Sequence, residues 1–115
     1  MGFSEQVVQA VWNRGRIVSG YDPSEFRQDE CTAWMRRSAY GERSSVLGWE
    51  IDHIKPVSEG GTDVIWNLRP LQWENNAERS SGPLTCLIRS QGTKNVRALS
   101  LLAQILAERS GSRRF

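Results

Sequence analysis

The stretch from Trp49 to Arg79, WEIDHIKPVSEGGTDVIWNLRPLQWENNAER, constrains this chain more than any other part of it. It holds the only histidine, directly after a carboxylate in Asp52-His53, and runs on through Pro56, Gly60-Gly61, Asn67-Leu68 and the pair Asn75-Asn76. Hydrolysis of a phosphodiester needs a base to deprotonate water and a cation to hold the charge that develops on the phosphorus oxygens and the leaving oxygen. An imidazole titrates near neutral pH, so His53 can serve as the base. Asp52 offers a carboxylate oxygen and Asn76 an amide carbonyl oxygen, both hard ligands suited to magnesium or manganese. If residues 49–54 form a strand, Asp52 and His53 point to opposite faces unless the strand ends or kinks there. Pro56 favours an ending. Taken singly, each feature has an ordinary reading. A lone histidine is more often a surface or hydrogen-bonded residue than a base, two glycines alone mark a turn, and Asn67 alone is a turn or cap residue. The combination at this spacing is far more specific.

In these residues the segment resembles the HNH endonucleases, whose core is a β-hairpin with a long loop followed by a crossing helix. The family pattern of Asp-His, a proline a few residues on, Gly-Gly-Ser/Thr-Asp, Asn-Leu and a final His or Asn reads here as Asp52-His53, Pro56, Gly60-Gly61-Thr62-Asp63, Asn67-Leu68 and Asn76. The resemblance implies an α+β fold with a ββα-metal core over residues 49–80. It implies His53 as general base, Asn67 holding the hairpin loop so that His53 is aimed, and Asp52 with Asn76 on Mg2+ or Mn2+. Asn75 competes with Asn76 for the last role. Asn76 is preferred because family members with a structural zinc read C-x-x-C-N where this chain has Gln72-Trp73-Glu74-Asn75-Asn76. Arg79 stands where the family often has a lysine and is a candidate phosphate contact; a solvated helix charge is the equal alternative. Lys55 is a weaker nucleic-acid candidate.

The same alignment exposes a departure. Gln72 and Asn75 replace one zinc pair, and the upstream pair survives only as Cys31 and Trp34. Two cysteines cannot make a four-ligand zinc site, so no structural zinc is expected. Packing by the five tryptophans is the expected substitute. One of these rings stacking on an unpaired base is an alternative use.

A length of 115 residues bounds the chain to a single domain with a modest core. The formal net charge of +2 is unevenly placed, because residues 86–115 carry six basic side chains and one acidic. Such a basic extension attracts phosphate non-specifically or simply solubilises the end. The start, MGFSEQVVQAVW, lacks the apolar run of a signal peptide or membrane span, which gives a cytoplasmic expectation with no membrane partner. Cys31 and Cys86 are read most simply as buried reduced thiols, with a single bridge between them as the alternative.

Along the chain, Ser4 caps a helix through about Trp12, with Phe3 and Val8 placed as a hydrophobic staple and Gly15 as the stop. Tyr21-Asp22-Pro23-Ser24 reads as a turn, Cys31 to Arg37 as a short strand and Thr85 to Arg89 as another, followed by a turn at Gly92. Asn95 to Glu108 has a helical apolar stripe that packs on its own domain or forms a homodimer seam, and 110–115 reads as a frayed end. The function expected is metal-dependent endonucleolytic cleavage of DNA. A non-catalytic nucleic-acid-binding module and a nuclease toxin with a neutralising partner are the alternatives.

Overall fold

The structure is a computed structural model that describes residues 2–98 and 106. Helix α1 (Glu5–Trp12) begins where the Ser4 hydroxyl accepts a hydrogen bond from the Val7 amide, satisfying one of the free donors of the first turn. It buries Val8, Val11 and Trp12 against Met35, Trp49 and Leu68, and Phe3, Val7, Tyr40 and Ile51 close over this cluster. The Trp12 and Trp49 rings meet at 5.1 Å and 46°. Such tilted pairs add about 0.5–1.5 kcal/mol beyond area burial.

Among the described residues α1 is joined by three antiparallel hairpins: β1 (Phe26–Gln28) with β2 (Trp34–Arg36), β3 (Trp49–His53) with β4 (Leu68–Gln72), and β5 (Ile88–Gln91) with β6 (Lys94–Arg97). The middle pair runs in register from Trp49↔Gln72 to His53↔Leu68, so the strand ends at the histidine. Every residue of β4 is buried, since α1 covers it and helix α2 (Trp73–Arg79) follows from its end and folds back across β3. Gln72 starts that helix, its side-chain carbonyl accepting from the amides of Glu74 and Asn75. The mixture of helices and small antiparallel pairs is α+β, with the hairpin-plus-helix core at residues 49–79.

The cysteines take the alternative reading rather than the simpler one. Cys31 and Cys86 are joined in a disulfide, with Cα atoms 5.3 Å apart. Where a zinc knuckle would stand, tryptophan packing is joined by a hydrogen-bonded hub. Trp12, Trp34 and Trp49 are buried, but Trp66 is 71% exposed. At the knuckle positions the buried Asp29 carboxylate accepts from the amides of Cys31, Ala33 and Gln72, each at 2.9 Å, and from Asn75 Nδ2 at 3.1 Å. Asn75 also donates to the Ile88 carbonyl and accepts from the Ile88 amide, which ties β5 to the helix. Burial pushes the Asp29 carboxyl above its ordinary value, against the lowering effect of those four hydrogen bonds.

Several element boundaries also differ from expectation. Cys31 and Thr32 lie in a turn, with Thr32 at φ +68°, because Asp29 draws the following amides around its carboxylate. The strand expected at Thr85 begins instead at Ile88. Asn95 to Arg97 form a strand, not the start of a helix. Gly92, at φ +64°, makes the tight turn before them. Asn95 then anchors the hairpin, accepting from the Trp34 amide and donating to the carbonyls of Trp34 and Val46. Ala98 and Leu106, both within the expected C-terminal helix, are helical; the rest of that helix, its dimer seam and the frayed end lie outside the described residues.

Candidate active site

The loop between β3 and β4 is built to return the chain beside His53. Asn67 closes it: its Oδ1 accepts from the Lys55 amide at 2.8 Å, and its Nδ2 donates to the carbonyls of Lys55 at 3.2 Å and Thr62 at 2.8 Å. Gly61 passes so close to the opposite limb that a Cβ there would sit 1.8 Å from the Lys55 carbonyl oxygen. No side-chain-bearing residue fits without moving the backbone. Gly60, at φ +91°, supplies the left-handed step before it. The returning limb brings Asp63 to His53, with Oδ1 2.7 Å from Nε2. Phe3 packs beside the imidazole at 6.0 Å between ring centroids.

Asp52, one residue earlier, is buried, as period-two alternation places it on the other face of the strand from His53. Its Oδ2 accepts from Arg69 Nε and its Oδ1 from Arg79 Nη1, both at 2.8 Å. Arg79 crosses from the last turn of α2 and also donates to the carbonyls of His53 at 3.0 Å and Ile54 at 2.7 Å. Helix and strand end are thus pinned at three consecutive residues. Arg79 is therefore a buried tie rather than a solvated helix charge. Among the described residues, its Nε is the one buried side-chain polar atom without a hydrogen-bond partner. Lys55 lies on the exposed loop.

Asn76 stands one helical position past Asn75 and faces elsewhere. Its Nδ2 donates to Glu50 Oε1 at 2.8 Å. Glu50 is gripped by Arg43 through Nε at 2.7 Å and Nη2 at 2.9 Å. These hydrogen bonds from Arg43 are the main reason the Glu50 carboxyl is held below the ordinary carboxylate value. Asn75, in contrast, is fully occupied by Asp29 and Ile88 and is 1% exposed.

Asp52, His53, Asn76 and Arg79 all line one open, polar cavity of about 320 Å³, with Pro56, Val57 and residues 80–81 at its rim. The donor set can be tested against a divalent cation. Each Asp52 oxygen accepts one guanidinium hydrogen bond and retains a second lone pair, and the Asn76 carbonyl oxygen is a further hard donor. Among the described residues no group of three or more His, Cys, Asp or Glu is placed to hold a metal. Two protein oxygens suit a magnesium-type ion, which keeps several waters and completes its shell with substrate phosphate. The residues fit such an ion and no all-protein cage.

Sequence reasoning brought Asp52, His53, Asn67, Asn76 and Arg79 forward, and the structure gathers these around one strand end. It did not single out Asp63, Glu50, Arg69 or Asp29. Asp63 had a signal in the Gly-Gly-Thr-Asp string, and Glu50 had one in its i−2 relation to Asp52. Arg69 and Asp29 act through pairings that are distant in sequence and leave no local mark.

Residues 41–78 match the sequence model of the HNH endonuclease family, described as HNH endonuclease. Searches of the curated proteins and of the solved structures gave no significant match.

Proposed function

We propose, from the match of residues 41–78 to the HNH endonuclease family, that this chain is an HNH-type nuclease that hydrolyses DNA phosphodiester bonds with the aid of one divalent cation. The observation that carries this reading is the convergence of Asp52, His53, Asn76 and Arg79 on a single open polar cavity. The family generally works with a divalent metal on DNA.

In the proposed mechanism His53 takes the proton of the attacking water. Asp63 can only accept at its ionised carboxylate, so the neutral imidazole carries its hydrogen on Nε2 and leaves Nδ1 with the lone pair. Asn67 fixes the two limbs of the loop, and so holds Asp63 and His53 in register. Asp52 and Asn76 are the residues that would hold the ion, Mg2+ or Mn2+. When bound, the ion supplies electrostatic stabilisation of the phosphorane and of the departing 3′ oxygen, leaving a 5′-phosphate on the other fragment. Arg79 lines the cavity and would add its fixed positive charge to the field at a phosphate bound there. Lys55 and the basic residues beyond Cys86 add attraction that weakens with salt. One such site cuts one strand, so a double-strand break takes two copies, as in a homodimer, or two encounters.

The test is plasmid incubation with Mg2+, Mn2+, Zn2+ or chelator, for wild type, His53→Ala and Asn76→Ala. The expected result is metal-dependent nicking that chelator stops and that His53→Ala lowers by about 10²–10⁴-fold. Wild-type rates in His53→Ala would remove the proposed base.

A further inference from the structure

We infer that Glu50, clamped by Arg43, is a positioning residue that turns the Asn76 amide so that its oxygen, and not its NH2 group, faces the cation. This rests on the reading of Asn76 as a ligand.

An asparagine amide has two ends of opposite character, an acceptor oxygen and a donor NH2, and rotation by half a turn exchanges them. Nothing in the amide itself selects the productive face. Which end meets the cavity is set by what meets the other end. Here that partner is Glu50, with Oε1 2.8 Å from Asn76 Nδ2. A carboxylate accepts and cannot donate, so the flipped amide would set oxygen against oxygen at this distance. Glu50 is itself immobilised, because Arg43 grips both carboxylate oxygens, one through Nε at 2.7 Å and the other through Nη2 at 2.9 Å. The guanidinium also lies 5.6 Å over the Trp73 ring, on the first residue of the helix that carries Asn76.

The chain Arg43, Glu50, Asn76 therefore runs from the protein surface to the cavity wall. Asn76 borders two concave surfaces, the one with Asp52 and His53 and a second with Glu50, Phe3 and Tyr40. Its two ends sit at the boundary between them. Glu50 stands two residues before Asp52 on the same strand, so a single rigid β3 sets both the carboxylate ligand and the residue that aims the amide ligand. Losing the aim would put a donor group against a cation, which is worse than an empty position. Partners of this kind typically carry about 10–100-fold in metal affinity.

The experiment is Mn2+ titration of the full chain, read by loss of the free-ion electron paramagnetic resonance signal, with thermal unfolding recorded for each variant. Glu50→Ala is expected to weaken Mn2+ binding by about 10–100-fold. Glu50→Asp keeps an acceptor-only carboxylate at position 50 and leaves Asn76 untouched. It is expected to recover most of the binding lost in Glu50→Ala, since an acceptor for Nδ2 is restored. Weak binding by Glu50→Ala together with recovery in Glu50→Asp supports the inference, even where Glu50→Ala alone lowers the unfolding temperature. Wild-type affinity in Glu50→Ala while Asn76→Ala binds poorly overturns the positioning role and leaves the ligand assignment standing. Wild-type affinity in Asn76→Ala overturns both.

Discussion

At the scale of single residues, the site is governed by which end of each polar group is already engaged. Asp63 engages one nitrogen of His53, which in the proposed mechanism leaves the other to act as the base. Asp63→Ala frees the ring to take either tautomer, and we expect kcat to fall with little change in KM. Steady-state kinetics on an oligonucleotide checks this; a rise in KM at constant kcat would instead make Asp63 a binding residue. The buried Asp52 is shared by two guanidiniums, with side-chain exposures of 5% for Asp52, 10% for Arg69 and 6% for Arg79. Arg69→Met leaves that carboxylate half-paired, with an expected loss of about 3–5 kcal/mol in denaturant unfolding. Two other carboxylates respond to acid in opposite senses. Glu50, held low by Arg43, stabilises the fold above the unfolded carboxylate range and loses that contribution as pH falls through its folded value. Asp29, held high by burial, costs stability above its folded value, and the cost vanishes as pH falls through it. Acid unfolding should therefore draw on Glu50 and not on Asp29, so Glu50→Gln flattens the fall of Tm below about pH 5. An unchanged slope would remove Glu50 from the acid response.

At the scale of elements, the joint between β4, α2 and β5 passes through one asparagine. Asn75 touches Asp29 on one side and both backbone polar groups of Ile88 on the other. Asn75→Leu leaves these groups buried and unpaired, at an expected cost of about 1–3 kcal/mol for each unsatisfied group. Amide hydrogen exchange would show the loss concentrated at Ile88 and its hairpin. Full protection there would mean that other contacts hold β5. The helix after Ser4, the hairpin ending at His53 and the turn at Gly60-Gly61 were legible in the sequence because each is fixed locally. A cap, a strand period broken by a nearby proline, and a backbone approach that only glycine permits are all written within a few residues. The hub at Asp29 was not legible, because its donors come from positions 31, 33, 72 and 75, and a lone aspartate in a loop looks like any turn residue. The strand at Lys94–Arg97 was missed for a related reason. The apolar stripe beginning at Val96 has helical spacing, while the Asn95 anchor on Trp34 and Val46 is a tertiary effect that overrides local preference.

At the scale of the whole molecule, a small domain is held by crosslinks of different kinds. The Cys31–Cys86 bridge spans a sequence separation of 55 and closes a loop that contains the entire β3–β4 hairpin. Replacing both cysteines by serine is expected to cost about 2–4 kcal/mol of stability. An unshifted urea midpoint would show that the hydrogen-bonded hub suffices alone. The Asp29 hub also has a practical meaning for how the protein meets its environment. In a nuclease whose scaffold depends on a knuckle ion, a strong chelator removes catalysis and architecture together. Here the corresponding corner is pinned by a carboxylate and four protein donors, none of which EDTA can extract. Treatment with chelator should therefore stop cutting while leaving the melting curve in place, and adding Mg2+ back should restore cutting without a refolding delay.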